Sequence, residues 1–230
     1  MPRFAVVVFP GSNCEEDVRY ALKDVLGQPT DLVWHKDSSL EGYDGVILPG
    51  GFAQGDYLRP GAIARFSPIM DAVREMAEAG KAVIGICNGF QMLQEAGLLP
   101  GAMLRNRALT YVCRYVYLKA EQVDTPLTKT LAGKELLRIP VGHADGNYFV
   151  DEETLERLES TGRIVFRYTN AGGEADPAAS PNGAARNIAA IRDDRGNVVG
   201  LMPHPDRCYE PDLGTEDGRK LFESLIAWTS

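Results

Sequence analysis

Residues 82–95 read Ala-Val-Ile-Gly-Ile-Cys-Asn-Gly-Phe-Gln-Met-Leu-Gln-Glu, an apolar β-branched run passing straight into a helix-like stretch. Continuous apolarity predicts a strand buried on both faces over Ala82–Ile86, and the following spacing predicts a helix over Asn88–Glu95. Between them lies Gly85-Ile86-Cys87-Asn88-Gly89, a G-x-C-x-G with the shape of a nucleophile elbow. So tight a turn presses helix against strand, which is why small residues flank the central one. The Cys87 thiol is then held at the carboxyl end of the strand, near the positive end of a helix dipole that favours thiolate. A five-residue pattern is weak by itself, and a buried core cysteine in an ordinary βα connection satisfies it equally well.

Up to Pro100 the chain alternates strand and helix signals in the manner of a parallel sheet covered on both faces. Strands are expected over Phe4–Phe9, Leu32–Trp34 and Gly45–Leu48. Helices are expected over Glu15–Leu26, with Val18, Leu22 and Val25 on one face, and over Pro68–Ala79, striped by Ile69, Met70, Val73, Met76 and Ala77. Beyond Pro100 the pattern changes. Tyr111–Leu118, Arg163–Tyr168, Asn187–Arg192 and Val198–Met202 read as added antiparallel strands, with Gly196-Asn197 as a hairpin turn between the last two. Lys220–Trp228 closes the chain as a helix. With no linker and no repeat, one domain over residues 1–230 is expected. Asn170–Arg186, rich in Ala, Gly, Pro, Asn and Ser, reads as a loop: a plain connection, a flap, or a surface ordered by a partner. The Pro10–Cys14 turn is a second candidate for ordering by a partner.

A formal net charge of −8 gives no basic footprint for nucleic acid or an anionic membrane, so neither is expected as a partner. No apolar run approaches transmembrane length, and the apolar start runs into Pro-Gly-Ser-Asn rather than a cleavage site, so it reads as the first strand. Cys14, Cys87, Cys113 and Cys208 are scattered without a C-x-x-C, which suits reduced thiols in a cytoplasmic enzyme and offers no zinc spacing. No metal or cofactor is expected in this chain.

A catalytic thiol needs a base, and three histidines are available. His35 sits in a polar segment and is expected to face solvent. His143 lies in Pro140-Val141-Gly142-His143-Ala144-Asp145-Gly146-Asn147, read as a polar loop. His204 lies in Met202-Pro203-His204-Pro205-Asp206, where prolines restrain the backbone and Asp206 can fix the tautomer, so base and orienter share one rigid segment. Acyl transfer also needs donors for an oxyanion. Pro49-Gly50-Gly51-Phe52, directly after a strand, is the natural source, with the amide of Asn88 as a second.

These residues resemble the class I glutamine amidotransferases: the Gly-x-Cys-x-Gly elbow followed by Gln91, then a distant His-Pro-acid. Within that class the resemblance narrows to the glutaminase subunits of phosphoribosylformylglycinamidine synthases. It rests on Phe9-Pro10-Gly11-Ser12-Asn13-Cys14, Pro49-Gly50-Gly51-Phe52, Gly55-Asp56-Tyr57-Leu58-Arg59, the string Gly85–Leu93, Gly97–Gly101 and Met202–Pro205, and it spans essentially the whole chain.

The resemblance implies a flavodoxin-like, mostly parallel α/β sheet with helices on both faces and antiparallel strand additions. It implies Cys87 as nucleophile, His204 as base and Asp206 as orienter, with backbone groups near Gly51, Phe52 and Asn88 for the oxyanion. Gln91 and His143 are the implied contacts to substrate glutamine. The partner implied is a large ATP-dependent synthetase subunit, where ATP and magnesium would bind; a small accessory subunit is left open. Two features depart from the family pattern: Asp206 stands where glutamate is usual, and Gly142–Asn147 replaces an Ala-His-Gly-Glu-Gly run. The rival readings are a stand-alone cysteine hydrolase of the same fold and a catalytically silent binding subunit.

Overall fold

The computed structural model describes residues 1–133 and 135–230. Its strands in chain order are β1 (Phe4–Val8), β2 (Thr30–Trp34), β3 (Gly45–Leu48), β4 (Ala82–Ile86), β5 (Ala102–Leu104) and β6 (Val112–Ala120). β7 (Leu136–His143), β8 (Asn147–Phe149), β9 (Ile164–Thr169), β10 (Ile188–Arg192) and β11 (Val198–Leu201) follow. The helices are α1 (Glu15–Tyr20), α2 (Ile69–Glu78), α3 (Asn88–Glu95), α4 (Glu152–Ser160) and α5 (Asp217–Thr229).

Nine strands form one sheet in the order β2-β1-β3-β4-β11-β10-β9-β6-β7. From β2 to β11 all neighbours are parallel; from β11 to β7 all are antiparallel. This is the mostly parallel α/β sheet with antiparallel additions, and helices cover it. The reason is legible in the burial. Every residue of β3, β4 and β11 is buried, as strands covered on both faces must be. β7 instead alternates, with Leu137, Ile139, Val141 and His143 inward. β5 and β8 pair separately as a small ribbon.

Several expectations shift. The helix anticipated over Glu15–Leu26 is α-helical only to Tyr20 and continues as a π-helical segment, Ala21–Val25, in which Leu26 N–H donates to Ala21 O. The segment read as a polar loop around His143 is in its first half the end of β7. Pro140 is tolerated there because β7 is the last strand of the sheet, where a missing N–H breaks no ladder. α4 escapes a periodicity reading because only Leu155 and Leu158 on it are buried; its visible signal is the N-cap Asp151, which accepts from Thr154 N–H at 2.8 Å. Among the described residues no helix is long and apolar enough to cross a membrane.

Candidate active site

β1, β3, β4 and β11 are parallel, so their carboxyl ends lie at one edge of the sheet, and each leads into a segment of interest. β1 runs into the Pro10–Cys14 turn, β3 into Gly50-Gly51, β4 into Cys87 and β11 into His204. β1 sits between β2 and β3, the point at which strand order reverses and where ligands bind in such sheets. The first two segments are zipped together: Phe52 N–H donates to Gly11 O at 2.8 Å and Gln54 N–H to Pro10 O at 2.6 Å. The Pro10–Cys14 turn is therefore hydrogen-bonded within the chain itself.

Cys87 takes φ 50° and ψ −103°, a left-handed conformation that costs a non-glycine residue about 1–3 kcal/mol. Its N–H donates to Leu201 O at 2.7 Å, tying the elbow to the strand that carries His204. The flanking glycines are required by contact. A Cβ on Gly85 would lie 2.6 Å from Gly89 O, and one on Gly89 would lie 1.9 Å from Leu48 O. Where β11 crosses the helix, Gly200 makes the same allowance for the Phe90 ring.

His204 and Asp206 are both buried, and His204 Nδ1 lies 3.3 Å from Asp206 Oδ2. That is just beyond the usual N–H···O range, as expected of an acid one methylene shorter than glutamate. The other carboxylate oxygen, Oδ1, has no hydrogen-bond partner among the described residues. Burial by itself pushes the imidazole down, yet the negative charges of Asp206 and Cys87 and hydrogen bonds to Asp206 and Cys14 raise it well above its ordinary value. Cys14 is the neighbour that sequence reasoning missed. Its sulfur lies 3.9 Å from His204 Nδ1 and accepts from Arg207 at 3.1 Å, and burial pushes its thiol up. Cys14, His204 and Asp206 bring three ligand-type atoms within 4.8 Å of one another, but the Arg207 guanidinium already supplies positive charge beside them. A Cβ on Gly50 would lie 2.7 Å from the His204 ring, so the loop after β3 also sets the imidazole's position.

The oxyanion segment is more sharply divided than its sequence suggests. Phe52 N–H is committed to Gly11 O, and Ala53 N–H donates to Asn88 Oδ1 at 2.9 Å. Of Gly51, Phe52 and Ala53, Gly51 at φ 143° is the one whose amide donates to no acceptor among the described residues. Asn88 opens α3, where the first amides have no helical acceptor. Its side chain is fully occupied: besides Ala53, it donates to Asp56 Oδ1 at 3.0 Å and Gln91 Oε1 at 2.8 Å. Gln91 in turn donates to Asp145 O at 2.7 Å. Gln91 thus bridges the elbow and the loop after β7, keeping one N–H and one lone pair for other use.

His143 lines the same pocket as Cys87 and His204, but both its ring nitrogens are engaged. Asn106 Oδ1 lies 3.1 Å from Nδ1, and Asn182 Nδ2 lies 3.4 Å from Nε2. Since Asn182 Nδ2 can only donate, the proton sits on Nδ1, and burial with the charge of His204 pushes the imidazole down to about 4. His35, expected to face solvent, is buried against Phe9 and Trp34, with Ser67 Oγ 2.9 Å from Nδ1. Aromatic neighbours from separate elements hid that burial from a local reading. The Asn170–Arg186 loop is pinned rather than left free. Asn182 is buried, its carbonyl accepts from Arg107 N–H, and Arg186 pairs with Glu152 and Glu159.

Residues 1–228 match the CobB/CobQ-like glutamine amidotransferase domain, and the chain belongs to that family. It is 55% identical to the phosphoribosylformylglycinamidine synthase subunit PurQ of Moorella thermoacetica, over 98% of this chain and 96% of that one. It is 53% identical to the PurQ of Gloeobacter violaceus, over 98% and 97%. Among solved structures it is similar to a chain of the Thermotoga maritima PurLQS structure, with a TM-score of 0.87 and 41% identity, covering 100% of this chain and 99% of that one.

Proposed function

We propose that this chain is the glutaminase subunit of a phosphoribosylformylglycinamidine synthase. It hydrolyses glutamine to glutamate and passes the ammonia to a large ATP-dependent synthetase subunit, which makes formylglycinamidine ribonucleotide from formylglycinamide ribonucleotide in purine biosynthesis. ATP and magnesium are assigned to that partner. The setting is cytoplasmic. One observation carries the reading: a strained elbow thiol, Cys87, shares a pocket with an imidazole that Asp206 and Cys87 together favour as imidazolium.

The arrangement of these residues supports the following chemistry. Cys87 thiolate attacks the side-chain carboxamide carbon of glutamine, and the C=O electron pair moves onto oxygen. The amides of Gly51 and Asn88 are the donors assigned to that oxyanion. His204 imidazolium gives its proton to the departing nitrogen, ammonia leaves, and a γ-glutamyl thioester remains. Neutral His204 then takes a proton from water, hydroxide adds to the thioester, and collapse releases glutamate and restores the thiolate–imidazolium pair. Asp206 holds Nδ1 so that Nε2 faces the reaction. A single domain over residues 1–230 fits the same reading, since the elbow, the base and the donor loop all hang from the nine-stranded sheet.

Cys87→Ala tests the proposal. In the assembled synthase, glutamine-dependent synthesis is expected to vanish while synthesis from added ammonium salt persists. Loss of both activities would mean that Cys87 is structural or that this chain also builds the synthetase site.

A further inference from the structure

The wall of the pocket formed after β3 carries a charged group that the chemistry above does not use. Asp56 lines the pocket with Cys87, and so does Asp145 from the loop after β7. Asp56 is held in place at some cost. It takes φ 52° in a stretch where Gln54 and Leu58 are also left-handed, at 56° and 69°. Its Oδ1 accepts from Asn88, the residue that follows the nucleophile, so the carboxylate is anchored to the elbow itself. Asp145 is near enough for its charge to act on Asp56. The cation facing Asp145 is Arg105, 3.9 Å away on a side chain 73% exposed to solvent, too distant and too wet to neutralise the pair. Burial first, and then the charge of Asp145, push the Asp56 carboxyl up to about 6, against the hydrogen bonds from Asn88 and Gly61. The pocket wall thus brings a second carboxylate near Asp56, and a cation placed between the two would favour the charged form of Asp56.

We propose that Asp56, backed by Asp145, recognises the α-ammonium group of glutamine and so selects the free amino acid over amides that lack that charge. This deepens the glutaminase reading and rests on it. With the carboxamide at Cys87 and the oxyanion at Gly51 and Asn88, the far end of the substrate is the only part carrying positive charge. Asp56 is bonded to the residue next to the nucleophile, so an ammonium there fixes the distance between the recognised end and the reacting carbon. A ligand without the ammonium leaves the part-buried Asp56 carboxylate with its hydrogen bonds from Asn88 and Gly61 but no countercharge, so the amide lacking that charge is disfavoured.

The test compares kcat/KM for glutamine and for 4-carbamoylbutanoate, which is glutamine without its α-amino group, in the assembled complex. The chains compared are the unaltered one, Asp56→Asn and Asp145→Asn. Asparagine at 56 can still accept from Asn88, so the anchor is kept while the charge is lost. Asp56→Asn is expected to cut the preference for glutamine about tenfold or more, through KM rather than kcat, and Asp145→Asn is expected to cut it less. Alkylation of Cys87 by iodoacetamide, which has no ammonium, reports whether each pocket is intact. An unchanged preference in an intact Asp56→Asn pocket overturns the proposal and leaves the glutaminase reading standing. Should that variant fail the alkylation check, an unchanged preference in Asp145→Asn overturns it instead. If the unaltered complex hydrolyses neither amide, the glutaminase reading itself falls.

Discussion

Asp206 meets His204 through one carboxylate oxygen, 3.3 Å from Nδ1, while its other oxygen is buried without a hydrogen-bond partner among the described residues. The orienting bond is therefore monodentate and long. Cys14 and Arg207, on the same side of the imidazole, supply the remaining polar surroundings.

Asp206→Asn is expected to slow glutamine hydrolysis by about 10²–10⁴-fold, on the behaviour of triad acids in general. Asp206 is also the first of the groups raising the His204 imidazole, so its neutralisation should move the alkaline limb of the kcat/KM pH profile to lower pH. Asp206→Glu, which lengthens the reach by one methylene, should retain activity within about tenfold of the natural chain. An unchanged rate and an unmoved limb in Asp206→Asn would pass the orienting role to another group, with Asp145 the next to test.

Gly89→Ala places a methyl where Leu48 O already stands, at 1.9 Å from the new Cβ. Helix α3 would have to lift off the β3–β4 edge. A loss of about 3 kcal/mol or more in urea unfolding is expected, outweighing the roughly 1 kcal/mol that alanine gains over glycine in an open helix. A variant as stable as the parent would show that α3 has room the structure denies it.

Asp56 sets a pH signature on stability. Its carboxyl is raised from 3.8 to about 6, so between those values the folded chain holds a proton the unfolded chain has released. Stability therefore falls as pH rises through that window, and the full cost is present above it. Asp56→Asn removes the cost, so the variant should be more stable than the parent at pH 7, by about 1–3 kcal/mol, and the gap should close below about pH 4. Denaturant titrations at the two pH values read it directly. A constant gap would place the repulsion elsewhere.

Asn182 anchors the Asn170–Arg186 loop to His143 and Tyr168. The amide of Arg107, which donates to Asn182 O, should be protected from hydrogen exchange in the isolated chain. Asn182→Ala keeps the backbone carbonyl but removes the side-chain anchors to His143 and Tyr168, so it should lower that protection and weaken glutamine binding through the freed His143 ring. Equal fast exchange at Arg107 in the isolated parent chain would restore the view that a partner orders this loop.

Much of this was legible in the linear chain because it is local. A fully apolar run such as Ala82–Ile86 has one sensible fate, and G-x-C-x-G between such a strand and a helix specifies its own turn. Met202–Asp206 likewise announces its role, since base, orienter and restraining prolines are neighbours in sequence. What the sequence could not settle is everything decided by a meeting of distant segments. Pro140 and Gly142 argue against a strand until β7 is seen to be the terminal strand of the sheet, where no ladder bond is lost. His35 looks polar until Phe9 and Ser67 close over it. The tautomer of His143 is undefined until Asn106 and Asn182, from either side in the chain, take both its nitrogens. Cys14 reaches His204 across 190 residues, and Asp56 reaches Asn88 across 32. Secondary structure follows from backbone and near neighbours, but burial, tautomer and charge state follow from what the sheet and the loops between its strands bring alongside.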